Sequence, residues 1–343
     1  MTRAALIGLG MVADMHVQAI AATQGSVRLS GVMARDADKA RAFAERFDLP
    51  KAYANLTELI EDKPDFAILA TPPDARLQYV EQLAKARVPI LMEKPIERDT
   101  AQARHLVELC EAADIPFGVV LQHRMRPAAQ DLLGMVQAGT FGSMASVELR
   151  VPWWRDQAYY DAPGRGTIAR DGGGVLITQA IHQIDLMIQL CGPVSEVVGL
   201  TQTTPLHHME GEDFAGAVLR FKSGAIGTVM ASVTHYPGAS EMLLLNGTRG
   251  TTTLSADNLV VVRHGADPEH FGHGSKDTGS GADPMAFSHA WHQSVIEDFA
   301  DAVKHKRVPS ITGRSALPAQ ALIDAILTAS RTGRITRVEM TDV

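Results

Sequence analysis

Hydrophobic and polar positions divide the chain into two differently patterned parts. Up to about Leu121, short apolar runs alternate with stretches whose apolar residues recur at three- and four-residue spacing, which marks buried strands alternating with amphipathic helices. The pattern predicts strands at 4–7, 27–33, 66–70, 88–92 and 117–121, with helices at 13–22, 37–47, 57–61, 74–86 and 100–112. Alternation of this kind implies a doubly wound parallel sheet covered on both faces. After Leu121 it stops. A helix at 128–138 leads into strand-like runs at 144–151, 195–201, 215–221, 225–234, 241–246, 251–254 and 259–263, whose period of two belongs to an antiparallel sheet with one face turned to something else. Helices are also expected from Gly172-Gly173-Gly174 through Leu190, at 291–305 and at 318–332.

With 343 residues, 45% of them hydrophobic, the chain can fill two cores, so domains at 1–122 and 123–343 are expected. A formal net charge of −7 provides no general basic field for nucleic acid or an anionic membrane, leaving a small molecule as the expected partner. Cys110 and Cys191 lie far apart in no ligand spacing and read as buried thiols. Met1-Thr2-Arg3 runs directly into a strand, leaving no room for a signal peptide, and no apolar run reaches membrane-spanning length. A soluble cytoplasmic protein is expected.

The first strand ends in Gly8-Leu9-Gly10-Met11-Val12-Ala13, the G-x-G-x-x-A form of the dinucleotide fingerprint of a Rossmann domain. Gly8 allows the tight turn, Gly10 lets a diphosphate approach the backbone, and Ala13 lets helix and strand pack closely, with the amides around Met11 and Val12 facing the phosphates. The bland alternative is a glycine turn that binds nothing. At the tip of the second strand an NAD site usually places an acid for the ribose hydroxyls, whereas this chain has Ala34-Arg35-Asp36. A small residue followed by an arginine favours the 2′-phosphate of NADP, with NAD as the alternative; Asp36 is equally readable as a helix cap. Thr71-Pro72-Pro73 closes the third strand on the nicotinamide side, or simply stops it. The run Ile90-Leu91-Met92-Glu93-Lys94-Pro95 ends abruptly in an acid, a lysine and a proline. Reactive groups in such sheets sit at carboxyl ends of strands, so Lys94 reads as the proton-handling group of a nicotinamide-dependent dehydrogenase.

These residues, above all Glu93-Lys94-Pro95 with Ala70-Thr71-Pro72-Pro73 and the glycine turn, resemble the Gfo/Idh/MocA oxidoreductases, the family of glucose-fructose oxidoreductase and inositol dehydrogenase. The resemblance implies that Lys94 is catalytic, that Glu93 and Lys94 adjoin the cofactor, and that the second domain is an open antiparallel sheet with helices on one face and dimer or tetramer contacts on the other. Arg76 stands where many members have a histidine, a departure that reads as lying outside the chemical core.

In the second part, Ile177, Ile181, Ile184 and Ile188 form an apolar seam, and Thr178, His182, Asp185 and Gln189 a polar row beside it. Read alone, His182 is a hydrogen-bonded helix histidine; the glycine run followed by His-x-x-Asp resembles the family's second motif and implies that His182 shares proton transfer with Lys94. Thr178 departs from the aspartate or asparagine often found there. Lys94, Arg124, Tyr160, Arg165, Thr178 and His182 are the expected substrate contacts, since tyrosines and guanidinium groups suit hydroxyls or a carboxylate. Arginines also serve as surface charge, and Trp153 and Trp154 read as core or as a sugar platform. The stretch 264–292, with His270, His273, His289 and His292, reads as a flexible loop, not a metal site. The expected reaction is hydride transfer between nicotinamide and a secondary alcohol or ketone of a sugar, polyol or related cyclic compound. Two rivals are a non-catalytic nucleotide-binding sensor and an enzyme that uses tightly held cofactor for net hydrolysis or epimerisation.

Overall fold

The computed structural model describes residues 1–272 and 288–339. In chain order the elements are β1 (Thr2–Ile7), α1 (Ala13–Ala22), β2 (Val27–Met33), α2 (Ala37–Arg46), α3 (Leu56–Glu61), β3 (Phe66–Leu69), α4 (Leu77–Lys85), β4 (Ile90–Glu93), α5 (Thr100–Ala112) and β5 (Phe117–Val120). There follow α6 (Pro127–Gln137), β6 (Met144–Pro152), the short α7 (Gln157–Tyr160) and α8 (Ile168–Asp171), α9 (Ile181–Cys191), β7 (Val194–Gln202), β8 (Phe214–Phe221), β9 (Ile226–Ser232), β10 (Met242–Gly247), β11 (Gly250–Ser255), β12 (Asn258–Arg263), β13 (Glu269–Gly272), α10 (Ala290–His305), α11 (Gly313–Thr332) and β14 (Thr336–Arg337).

The first five strands form one parallel sheet in the order β2-β1-β3-β4-β5. Ala4 to Ile7 of β1, all of β3 and Ile90 to Met92 of β4 are apolar without alternation, as in a sheet covered on both faces, and Ala4 to Ile7 and Phe66 to Leu69 are wholly buried. This compact unit comprises Met1–Glu97, Ala101–Gln122 and also His289–Ala316, which corrects the expectation that everything beyond residue 122 belongs to the second domain. The physical reason is α10: Phe299 meets Phe66 edge-on at 5.3 Å, and Gln293 donates to the Ala22 carbonyl at 3.1 Å. A contiguous reading of the sequence cannot see such a return.

The second unit comprises Arg98–Thr100, His123–Ser288 and Leu317–Val343. Its sheet runs β13-β12-β11-β10-β6-β9-β8-β7-β14, antiparallel except for the parallel pair β6 and β9. Inward residues such as Val147, Leu149, Leu219 and Leu245 pack with Ile177, Ile181 and Ile184 and with Leu322 and Ile326 of α11. On the sheet's other side Val198, Leu200, Phe214 and Val218 stay exposed, Leu200 by 73%. The stretch read as a loop contains β13, which holds His270 against Val260; His292 lies inside α10, and His273 falls outside the described residues. The last helix starts at Gly313, so Pro318 lies within it and does not begin it. Cys191 is half-buried where full burial was expected.

Candidate active site

Parallel register brings the turns that follow four strands to one edge of the first sheet. Ile7 pairs with Met33 and Leu69, Leu69 with Met92, and Glu93 with Val120. The turns beginning at Gly8, Ala34, Ala70 and Lys94 therefore leave from the carboxyl edge, where such sheets receive ligands. Gly8 has φ +97° and a Cβ there would stand 2.7 Å from the Ala70 carbonyl carbon, so two of these turns meet backbone to backbone. At Gly10 a Cβ would meet nothing within 4 Å. Helix α1 begins without a side-chain cap, and the buried Thr71 Oγ1 has no hydrogen-bond partner.

An open glycine, uncapped helix amides and a buried orphan hydroxyl fit a dinucleotide, which would be held by Gly8, Gly10, the exposed Met11, Val12, Thr71 and the half-buried Pro72. At the tip of β2, Ala34 is half-buried and Arg35 exposed. Asp36 caps α2, accepting from the amides of Asp38 at 3.0 Å and Lys39 at 3.1 Å.

Glu93, expected to adjoin the cofactor, has a set of protein partners of its own. Its carboxylate is buried and turned onto histidines: Oε1 accepts from His16 Nε2 at 2.9 Å, His292 Nε2 is 3.7 Å from the same oxygen, and Oε2 accepts from the Lys94 amide at 3.2 Å. Burial alone would raise this carboxyl; the bonds and charge interactions from His16 and His292 overcome it and hold Glu93 well below the usual carboxylate range. His292 is held low, chiefly by its own burial. Lys94, next in the chain, is half-buried.

Arg76, which the resemblance set outside the chemical core, is bonded to two of these turns. It is 2% exposed, and its guanidinium donates to the Thr71 carbonyl from Nε at 3.0 Å and Nη2 at 2.8 Å, and from Nη1 to the carbonyls of Pro95 and Ile96, the latter at 3.2 Å. Burial lowers it to about 10, opposed by the charges of Glu93, Glu97 and Asp74.

In the second unit the glycine run starts the His182 helix. A Cβ on Gly174 would lie 1.8 Å from the Glu212 carbonyl oxygen. That contact is close because Glu212 caps the segment: its carboxylate accepts from the amides of Gly174 at 3.1 Å and Leu176 at 2.9 Å, while its carbonyl accepts from Val175 at 2.7 Å. Burial raises the Glu212 carboxyl, and the amides oppose that. One π-helical turn, Leu176–Ala180, precedes α9. A wider turn shifts the residues before it around the helix, so the polar row expected from regular periodicity does not persist. Thr178 Oγ1 donates to the Gly174 carbonyl at 2.6 Å, Asp185 is 2% exposed, and Gln189 is exposed.

His182 stacks on His123 with ring centroids 4.6 Å apart. His123 Nε2 accepts from Arg126 Nη2 at 2.7 Å, and Gln183 Nε2 lies 2.9 Å from His123 Nδ1. Arg126 in turn pairs with Glu241. Arg124 spends its charge on Asp185 through two buried bonds of 2.7 and 2.5 Å, where sequence reasoning had assigned it to substrate. Tyr160 is buried with its hydroxyl unbonded, and Arg165 lies 4.2 Å over the Tyr159 ring. Trp153 is core, its indole donating to Glu241 at 3.3 Å; Trp154 meets the exposed Tyr236 edge-on. Sequence reasoning missed His16, His123 and Glu212. Their signal is a polar residue within an apolar pattern, which by itself names no role.

Residues 2–120 match the model described as the oxidoreductase family, NAD-binding Rossmann fold, and residues 130–253 match the GFO/IDH/MocA C-terminal domain. The chain is 24% identical to the D-apiose dehydrogenase of Paraburkholderia graminis over 97% of its length and 88% of that protein's. It is 25% identical to the myo-inositol 2-dehydrogenase of Thermotoga maritima, over 91% of each. Among solved structures, the WlbA dehydrogenase of Bordetella pertussis in complex with NADH and UDP-GlcNAcA has the same fold, at 24% identity and a TM-score of 0.84 across 99% of both chains. The chain therefore belongs to the Gfo/Idh/MocA family of NAD-binding oxidoreductases.

Proposed function

We propose that this protein oxidises a secondary alcohol of a sugar or polyol, or reduces the matching ketone, with Lys94 as the group that exchanges the hydroxyl proton. The observation that carries the reading is the position of Lys94: half-buried, at the carboxyl edge of the parallel sheet, directly after the buried Glu93. A nicotinamide cofactor held by Gly8, Gly10, Met11, Val12, Thr71 and Pro72 would supply the hydride acceptor or donor. Lys94 Nζ, in its neutral form, accepts the hydroxyl proton as the carbonyl forms, and returns it in the reverse direction. His182, buried and stacked on His123, is the second proton-handling group, and Tyr160 and Arg165 are the substrate contacts. Relatives named for apiose and inositol support a small polyhydroxylated substrate.

Lys94→Ala is expected to lower turnover by about two orders of magnitude or more while cofactor affinity survives. The assay is a panel of polyols and hydroxy acids, apiose and myo-inositol included, with NAD and NADP followed at the nicotinamide absorbance. Normal turnover of the variant refutes the assignment.

For the cofactor we favour NADP. Asp36 is committed to the α2 amides, which leaves Arg35 as the charged side chain available at the tip of β2 for a 2′-phosphate. NADP is expected to bind more tightly than NAD, and Arg35→Ala to abolish the difference; equal affinities in the unaltered protein remove the case. The exposed apolar face around Val198, Leu200 and Val218 suits a homodimer or homotetramer, and sedimentation as a monomer at micromolar concentration would refute it. No described helix is long and apolar enough to cross a membrane, and the free thiols Cys110 and Cys191 suit a reducing, cytoplasmic setting.

A further inference from the structure

Arg76 has a job that packing alone does not explain. A guanidinium carries five N–H donors in a rigid fork. Here Nε and Nη2 converge on the Thr71 carbonyl while Nη1 serves the carbonyls of Pro95 and Ile96. All three acceptors are main-chain atoms, so the side chain binds backbone to backbone. Thr71 follows β3, and Pro95 and Ile96 follow β4; one is the turn with the orphan hydroxyl, the other the turn that carries Lys94. Neighbouring parallel strands are tied by ladder bonds only as far as the ladder extends, which here is Leu69 with Met92. Beyond that pair the two turns need another link.

We infer that Arg76 is a positioning residue for the reaction: by bonding three carbonyls on two turns it fixes the Lys94 turn relative to the Thr71 turn. This rests on the reading of Lys94 as the proton-handling group. A lysine placed at 76 keeps the charge but presents a single nitrogen, which cannot span both turns in the same plane. Charge balance is then roughly kept with Glu93, Glu97 and Asp74, and only the clamp is lost.

The test is Arg76→Lys, with Arg76→His as the second variant should the lysine protein fail to fold. Three quantities are read: thermal midpoint, affinity for ADP-ribose, which reports the Gly8 to Val12 turn and the β2 tip, and steady-state kinetics on the fastest polyol of the panel with its carbinol carbon protiated or deuterated. The expected result is a fall in kcat of about tenfold or more with ADP-ribose affinity unchanged, and a larger primary isotope effect on kcat, because misplacement slows the chemical step. A kcat within twofold of the unaltered enzyme overturns the inference. So does a fall in kcat with an unchanged isotope effect, since loss of active molecules through destabilisation lowers the rate without altering the chemistry of those that remain. Lys94→Ala is run beside it. If that variant turns over normally, the underlying reading fails; if it is inactive while Arg76→Lys is normal, only the clamp fails.

Discussion

Gly174→Ala puts the start of the His182 helix to a quantitative test. The new methyl carbon would stand 1.8 Å from the Glu212 carbonyl oxygen and 2.4 Å from its amide nitrogen, whereas ordinary contact begins near 3.4 Å. Both obstacles are main chain, so no side-chain rotation relieves them and one of the two segments must retreat by well over an ångström. Such a retreat breaks the three bonds that join the segments: two amides on the Glu212 carboxylate, at 3.1 and 2.9 Å, and Val175 on its carbonyl, at 2.7 Å. A bond to a charged group contributes about 1.5–3 kcal/mol and a neutral one about 1, and partial rehydration returns some of that, so a loss of about 3–5 kcal/mol follows. The opposing gain from stiffening the unfolded chain is only about 0.4–1 kcal/mol.

At about 2–4 °C per kcal/mol for a domain of this size, the thermal midpoint of the second unit should fall by roughly 6–20 °C. Calorimetry reads it, with Gly134→Ala as the control. Gly134 lies in α6 with nothing within 4 Å of its absent Cβ, and there alanine should stabilise by about 0.5–1 kcal/mol through helix propensity. A midpoint for Gly174→Ala within about 2 °C of the unaltered protein would show that the Glu212 contacts do not hold the helix start.

Glu93→Gln should flatten the acid limb of stability. A carboxyl held below its unfolded value contributes stability that is present above that value, near 4.5, and is lost as pH falls through the folded one. His292, held below its unfolded value of 6.5, acts in the same direction, since unfolding lets it take up a proton as the solution is acidified below that value. Urea midpoints measured from pH 7 to pH 3 should therefore drop more steeply for the unaltered protein than for the glutamine variant, and parallel curves would contradict the assignment. Arg124→Met alone strands the Asp185 carboxylate in the core and should cost about 3–5 kcal/mol, whereas adding Asp185→Leu should restore most of it. If the double variant is as unstable as the single one in denaturant titrations, the pair is not what the first substitution disturbed.

The first unit was legible because each of its signals is local. Unbroken apolar runs, Gly8 and Gly10 after the first of them, and Lys94 at the end of another are features of single segments, and parallel register then aligns them without further information. What stayed hidden depends on long-range return. His292 belongs to a stretch that looks like a loop by composition, yet α10 carries it beside Glu93, almost two hundred residues earlier in the chain. The π turn was hidden for a different reason: nothing in the period of Leu176–Ala180 marks a wider turn, and the bonds from Gly174 and Leu176 to Glu212 at its start come from a residue far along the chain. Arg76 was set outside the chemical core by the resemblance alone, because nothing local in the sequence shows that its guanidinium bonds the carbonyls of two neighbouring turns.

The burial of Arg76 bears on where function lies. Replacing buried charges by apolar groups of similar volume is often neutral or stabilising, so a fold selected for stability alone has little reason to keep them. Yet beside one strand edge the chain buries His16, Arg76, Glu93, Glu97 and His292, none more than 6% exposed. Two of them, Arg76 and Glu93, bond to main-chain atoms of the turns that flank Lys94. A network that costs desolvation and ends on the backbone around one amine is accounted for if the position of that amine is what the network maintains.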